Sequence, residues 1–63
     1  MYAAAKARYD SDDFGGAITA FTDFLSAYPS STYRDKAQFW IGKSLLNQSE
    51  YSRAIQAFEV VRS

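Results

Sequence analysis

The densest group of side chains that could do chemistry is the acidic segment 10–13, which reads Asp-Ser-Asp-Asp. Asp10 and Asp12 have the spacing of positions 1 and 3 in a calcium-binding EF-hand loop. Positions 5 and 12 of that loop would then be Phe14 and Phe21, which have no oxygen atom to ligate a metal. Because Asp and Ser favour turns, we predict a solvated turn here and expect no metal site.

The other polar residues form no catalytic combination. The chain has no His and no Cys, so the commonest general base and the commonest metal ligand are both missing. Serines are numerous, but no Lys stands at a convincing spacing to activate one as a nucleophile. Gly15 and Gly16 lack the preceding strand and the further glycine or lysine of a nucleotide-binding loop. We therefore expect no enzyme activity and no cofactor.

The charge balance gives no field that would attract nucleic acid, because seven basic residues stand against seven acidic ones. Residues 1–30 carry two basic and four acidic groups, whereas residues 31–63 carry five basic and three acidic groups. Ends of opposite net charge favour head-to-tail stacking. No apolar run reaches the length of a membrane span, so we expect no direct membrane insertion.

A repeated pentad organises the chain. Ala17–Phe21 reads Ala-Ile-Thr-Ala-Phe, and Ala54–Phe58 reads Ala-Ile-Gln-Ala-Phe 37 positions later. The same shift pairs other residues in order and without gaps, for example Tyr2 with Phe39. A pattern that recurs at a period of 20–50 residues indicates a structural repeat.

Four helices are predicted to carry the two repeats, since apolar residues recur at helical spacing and Ala is abundant. The first predicted helix covers residues 2–11, and the second runs from a cap at Asp12 or Asp13 to Tyr28. The third runs from a cap at Ser31 or Thr32 to about Asn47, and the fourth begins after a cap at Ser49. Short turns favour two antiparallel hairpins, with repeat 1 over about 1–29 and repeat 2 over about 30–63. The predicted fold class is all-α. Because both ends of the chain adjoin helical patterns, we expect a fragment of a longer repeat domain.

Small residues are predicted to bring the two helices of each hairpin close together. In each hairpin a small residue of the first helix faces two alanines of the second. The predicted sets are Ala5 with Ala17 and Ala20, and Gly42 with Ala54 and Ala57. Phe21 and Phe58 would fill the space beside these contacts, and Trp40 is predicted to lie in the core because it shares a helix face with Ala37 and Ile41.

These positions resemble the tetratricopeptide repeat (TPR), which has a small residue late in its first helix, then an Ala and a Phe in its second, and a closing Pro. The matching residues are Ala5, Ala17, Phe21 and Pro29 in the first unit, and Gly42, Leu45, Ala54 and Phe58 in the second. The first unit departs from the pattern at Arg8. The resemblance implies an α-α superhelix.

A second stretch narrows the resemblance. Residues 29–33 read Pro-Ser-Ser-Thr-Tyr, and residues 37–42 read Ala-Gln-Phe-Trp-Ile-Gly. This is similar to the C-terminal repeat domain of the periplasmic Tol–Pal-associated family called YbgF or CpoB, which implies a periplasmic adaptor in cell division. The outer-membrane assembly lipoprotein family BamD is similar in repeat length and ranks second. A TPR adaptor appended to another protein is the third alternative.

In this repeat family the first helix of each hairpin lines a concave groove that receives peptides. Carried over by position, the groove residues are Tyr2, Lys6, Tyr9, Asp10, Lys36, Phe39, Lys43, Leu46 and Asn47. Aromatic rings with lysines suit a protein or peptide partner that carries acidic or C-terminal charge. In the alternative interpretation, Phe39 and Leu46 pack on a neighbouring hairpin and the lysines serve solubility.

Two repeats are fewer than a helical solenoid usually needs, because each repeat buries its apolar face only against its neighbours. The residues expected to remain uncovered are Ile55, Phe58, Val60 and Val61. We therefore expect the chain to associate with itself, either by stacking its ends or by swapping a hairpin.

Overall fold

A computed structural model describes residues 1–62, and it describes the side chains of residues 1–60. The four helices are α1 (Tyr2–Asp10), α2 (Phe14–Ala27), α3 (Arg34–Asn47) and α4 (Tyr51–Arg62). Each helix packs on the next one along the chain, and α1 also contacts α3. This arrangement gives two helical hairpins, α1–α2 (hairpin one) and α3–α4 (hairpin two), and it confirms the predicted all-α, TPR-like fold.

The core is built largely from alanines and a few large side chains. The buried apolar residues are Ala5, Ala17, Phe21, Phe24, Ala37, Ile41, Leu45, Ala54 and Ala57. The Cα atoms span 28 × 28 × 14 Å. The short dimension fits two layers of helices with axes about 9 Å apart, because the Cα atoms of each helix lie about 2.3 Å from its axis. Alanines at the crossings permit this close spacing.

The turns within the two hairpins have the same backbone structure. Asp12 has a φ of 65° and Ser49 a φ of 63°, both in the left-handed region, and the two residues are 37 positions apart. In the first turn the Asp13 amide donates to the Arg8 carbonyl oxygen at 2.9 Å. In the second turn the amide of Glu50 donates across the equivalent six residues, also at 2.9 Å. Both turns are therefore Schellman motifs, and the sequence repeat is also a repeat of backbone conformation.

The α2 N-terminus follows one of the two predicted alternatives. Asp13 is the N-cap, and its Oδ1 accepts a hydrogen bond from the Gly16 amide at 3.1 Å. The Arg8 guanidinium also lies 3.4 Å from the Asp13 carboxylate. The acidic segment therefore ends one helix and caps the next. An exposed cap of this kind contributes about 1 kcal/mol.

The predicted caps of α3 and α4 are wrong. Tyr33 occupies the α3 N-cap position without a side-chain hydrogen bond, so neither Ser31 nor Thr32 is the cap. The Ser31 hydroxyl instead accepts from the Tyr33 amide at 3.1 Å, which closes the turn before the helix. Glu50 precedes α4, and its carbonyl oxygen accepts the first hydrogen bond of that helix. Ser49 is unsuitable as a cap because its backbone is in the left-handed turn.

The packing around Gly42 also involves the ring of Phe58. Ala54 and Ala57 are buried as expected, and the ring of Phe58 lies nearest to the place that a Cβ atom at residue 42 would occupy. A Cβ atom added at Gly42 would lie 2.5 Å from Phe58 Cε1, which is closer than any real contact. Gly42 is therefore small because an aromatic ring lies directly against its backbone.

Candidate functional site

The first helices of the two hairpins meet through aromatic side chains centred on Trp40. The indole Nε1 of Trp40 donates a hydrogen bond to the Tyr2 hydroxyl at 3.0 Å. The Trp40 ring lies 4.8 Å from the Tyr9 ring and 5.2 Å from the Phe39 ring, centroid to centroid. Trp40 is only partly buried, so this cluster belongs to the surface as well as to the helix contact. We call the α1–α3 surface this cluster together with the polar and aromatic residues beside it, which are Lys6, Asp10, Tyr33, Lys36, Lys43 and Asn47.

Two hydrogen bonds set the register between α1 and α3. Trp40 donates to Tyr2, and the Asn47 side-chain amide donates to the Tyr9 hydroxyl at 3.3 Å. Both bonds join residues 38 apart, one more than the repeat period of the sequence. Because residues seven apart lie on one helix face, both bonds hold the same face of α1. Both tyrosine oxygens act as acceptors, which leaves each hydroxyl hydrogen available to donate to a ligand.

Lys6 bridges the aromatic cluster and the acidic turn. Its Nζ lies 4.5 Å from the Trp40 ring centroid and 5.7 Å from the Tyr9 centroid. The same Nζ lies 2.7 Å from Asp10 Oδ1, one helical turn away. A cation–π contact at a partly exposed site contributes about 0.5–1 kcal/mol, and an exposed ion pair at this spacing about 0.3–0.5 kcal/mol. The charge of Lys6 is therefore neutralised by Asp10.

The other two lysines of this surface have no such compensation. Lys36 lies 5.6 Å from the Tyr33 ring centroid, and Lys43 lies seven residues further along the same face of α3. Among the described residues, no acidic side chain forms a salt bridge with Lys36 or Lys43. Next to the aromatic rings, α3 therefore carries two cations whose charge is available to a ligand.

The structure brings together only part of the predicted groove set. Tyr2, Lys6 and Tyr9 contact Trp40 directly, whereas Asp10 and Asn47 are joined to them through Lys6 and Tyr9. Lys36 and Lys43 lie on α3, the helix that carries Trp40. Among the described residues, Phe39 and Leu46 form no ring contact or hydrogen bond with α1, whereas Tyr2 and Tyr9 form both with α3 or the turn before it. Phe39 and Leu46 are instead exposed, and Phe39 also lies 5.9 Å from the Phe58 ring.

Two residues of the surface are absent from the sequence-based set. Trp40 is the centre of the cluster, although its spacing predicted a core residue. Tyr33 stacks on Tyr2 with centroids 4.9 Å apart and an interplanar angle of 27°. A shift of 38 residues pairs Tyr2 with Trp40 directly, whereas the shift of 37 that aligns the repeats pairs it with Phe39. An alignment of the sequence with itself at a shift of 38 would therefore have paired Tyr2 with Trp40, whereas the repeat period of 37 does not.

The remaining chemistry is sparse in the part of the chain that the structure describes. No three acidic side chains among these residues come together in a group that could hold a metal ion. Within the same residues, no helix is long and apolar enough to cross a membrane. The side chains that do converge are aromatic, cationic and hydrogen-bonding, and such side chains recognise a surface or a peptide.

The fold and the α1–α3 surface together define a helical-repeat protein of the TPR type. The chain matches the model of the YfiO family, described as an outer membrane lipoprotein, over residues 1–61. Because this match covers nearly the whole chain, the chain belongs to that family. No curated protein and no solved structure gives a significant match to it.

Proposed function

We propose that this chain is a protein-binding module of the cell envelope that works on the periplasmic side of the outer membrane. The observation that carries the proposal is the convergence of Tyr2, Lys6, Tyr9 and Trp40 on a surface that is only partly buried. Rings held in place by hydrogen bonds lose little freedom on binding, so they suit a recognition surface. The family match supports a location in the envelope.

Within the envelope, the family match favours a subunit of the BamD type, which belongs to the outer-membrane protein assembly machinery. A Tol–Pal-associated adaptor of the YbgF or CpoB type remains the second candidate. The segment Ala37–Gly42 favours it, because this segment has the Trp-centred pattern typical of that family. Both candidates are non-enzymatic and act by binding other proteins.

The partner segment is proposed to be a peptide with acidic side chains or a free C-terminal carboxylate. Asp10 neutralises Lys6, so the charge that the surface offers to a ligand comes from Lys36 and Lys43. These two lysines lie about 10.5 Å apart along the helix axis, since each residue adds about 1.5 Å. Two carboxylates on an extended peptide can span that distance, while apolar side chains of the peptide pack on Phe39 and Trp40.

The chain has one Trp, and Trp40 lies at the centre of the surface, so its fluorescence reports binding directly. We expect a short peptide with acidic residues and a free carboxylate to change this signal. The same peptide with Lys in place of each acidic residue should not. Lys43→Glu should weaken binding about tenfold, which corresponds to about 1.4 kcal/mol.

Arg53→Glu is the matched control, because Arg53 is an exposed cation of hairpin two on α4, outside the α1–α3 surface. This variant makes the same change in net charge and should bind the acidic peptide as the wild type does. Equal losses in Lys43→Glu and Arg53→Glu would mean that only the overall charge matters. That result would contradict the proposed surface.

A further inference from the structure

The two hairpins present the same positions to different surroundings. In hairpin one, Tyr2, Tyr9, Phe14 and Ile18 are partly buried. Their equivalents 37 residues later are all exposed. These are Phe39 at 41%, Leu46 at 38%, Tyr51 at 61% and Ile55 at 56%. We call these four residues the outer face of hairpin two. It is the counterpart of the surface that hairpin one buries on α3.

The outer face also differs in chemistry from its counterpart. Tyr2 and Tyr9 accept hydrogen bonds from Trp40 and Asn47, and these bonds fix the position of α3. Phe39 and Leu46 stand in the same places without a hydroxyl group. A helix that covers them in the same register must therefore bring no donor to those places. A polar group buried there without a partner would be costly.

The α1 helix of a second copy meets this requirement, because Ala3 takes the place of Trp40, and Asp10, which takes the place of Asn47, donates no hydrogen bond and is paired with Lys6. In the internal register, Ala3, Ala4 and Ala7 take the places that Trp40, Ile41 and Ser44 have on α3, since these pairs are 37 residues apart. All three alanines are exposed, and none carries a polar side chain. The large side chains of the outer face and the small alanines of α1 allow α1 of the second copy to approach hairpin two closely.

The charges of the two ends are also complementary. The first 30 residues carry two basic and four acidic groups, whereas residues 31–63 carry five basic and three acidic groups. In the internal register Asp10 of a second copy takes the place of Asn47. It would then lie beside Leu46, one helical turn from Lys43, which forms no salt bridge with another described residue. A contact between the two ends therefore brings opposite charges together.

We propose that the outer face of hairpin two binds α1 of a second copy of this chain, head to tail, in the register that α3 adopts against hairpin one. The two faces are different surfaces of the same molecule, so the contact is heterologous. Each copy that joins leaves one free face of each kind, and open chains grow. This contact shares Phe39 and Lys43 with the α1–α3 surface proposed to bind peptides, so the two contacts compete for these residues.

Sedimentation equilibrium of the 63-residue chain tests the proposal, over concentrations from about 10 µM to about 1 mM, where weak contacts form. The average mass should rise from the 7.1 kDa of the monomer to beyond that of a dimer as concentration increases. Ile55→Glu removes the outer face, and Ala7→Glu removes the α1 face. Each variant alone should stay monomeric, because its chains have only one kind of intact face.

Mixing the two variants gives the decisive result. Ile55→Glu keeps the α1 face and Ala7→Glu keeps the outer face, so an equimolar mixture should form dimers and nothing larger. Thr22→Glu is the control, because Thr22 is exposed and lies outside both faces. It should associate as the wild type does. Far-UV circular dichroism of each variant verifies that the helices are intact, and Leu46→Glu replaces Ile55→Glu if that variant unfolds.

Three outcomes would overturn the proposal. A wild-type chain that stays monomeric throughout the concentration range has no such contact. A wild-type chain that stops at the dimer, with Ile55→Glu monomeric and Ala7→Glu unaffected, has a symmetric contact between two outer faces. A mixture of the two variants that remains monomeric has no head-to-tail complementarity. None of these outcomes bears on peptide binding, which is measured at concentrations where the chain is monomeric.

Discussion

Hairpin one and hairpin two carry the same Ala-Ile-x-Ala-Phe pattern, and their turns have the same hydrogen bonds, yet they bury this pattern to different extents. Phe21 has no exposed surface, whereas its equivalent Phe58 is only partly buried. Ile18 is partly buried, and Ile55 is 56% exposed. The local structure of the two hairpins is alike. The difference comes from the neighbour, because α3 covers hairpin one, whereas no further helix among residues 1–62 covers the equivalent face of hairpin two. In a repeat protein, the burial of a residue depends on which repeat carries it as well as on its place within the repeat.

The largest expected effect that tests this comparison is at the shared phenylalanine. Phe21→Ala removes a fully buried ring and should lower the free energy of unfolding by about 3–5 kcal/mol. A domain of this size has little stability to lose, so this variant should be largely unfolded. Phe58→Ala should lose less than half as much. Urea titrations of both variants measure the difference, and equal losses would show that the two hairpins are energetically the same.

A second test concerns the glycine against the Phe58 ring. Gly42→Ala places a Cβ into that ring, and overpacking of this kind costs about 1–3 kcal/mol. The opposing gain in helix propensity is about 1 kcal/mol. In a Phe58→Leu background the ring is gone, so Gly42→Ala should become stabilising by about 1 kcal/mol. Thermal melts of the four chains in this double-mutant cycle should show the change of sign. An unchanged effect of Gly42→Ala would mean that the ring does not explain the glycine.

A smaller effect is expected at the hydroxyl that distinguishes the two first helices. Tyr2→Phe removes the acceptor for Trp40 Nε1 and should cost about 0.5–1.5 kcal/mol. Phe39→Tyr adds a hydroxyl at the equivalent exposed position and should leave stability unchanged within about 0.5 kcal/mol. Denaturant midpoints measure both values. If the Tyr2→Phe variant is as stable as the wild type, the hydrogen bond between Trp40 and Tyr2 does not stabilise the packing of α1 on α3.

The smallest effects are expected where the hairpins are most alike. Asp12→Gly and Ser49→Gly each relieve a left-handed backbone at a Schellman turn, and each should stabilise the chain by about 0.5–1 kcal/mol. The controls are the preceding residues Ser11 and Gln48, which have ordinary negative φ values, so Gly there should destabilise. Melting temperatures measure all four variants. Gains of clearly different size at Asp12 and Ser49 would show that the two turns are not equivalent in energy.

Much of the fold could be predicted because it depends on local pattern. The pentad and the apolar spacing predicted four helices and two hairpins, and Asp13 at the α2 N-cap is one of the two predicted alternatives. The predicted caps at Ser31 or Thr32 and at Ser49 were wrong, because the α3 N-cap is Tyr33 and Ser49 lies in a left-handed turn. Ser31 instead accepts a hydrogen bond within the turn before α3. Cap preferences describe isolated helix ends, and a tight turn overrides them.

The candidate site was less predictable, because it depends on how two helices from different repeats meet. Tyr2, Lys6 and Tyr9 were predicted by position and do converge. The role of Trp40 was not, since helical spacing assigns a ring to a face but does not say which ring on a neighbouring helix it reaches. The register of 38 residues between the contacting side chains arises from packing and differs by one from the period of the sequence.

The sequence by itself determined what is local and periodic: the four helices, the positions of the turns between them and the repeat of 37 residues. Hydrogen bonds within helices and turns join residues close in the chain, so short patterns are sufficient to specify them. Only the tertiary structure decided which ring lies against Gly42, which donors reach Tyr2 and Tyr9, and which apolar residues stay exposed. These depend on the distances and rotations between helices, which are set by all the packed side chains together.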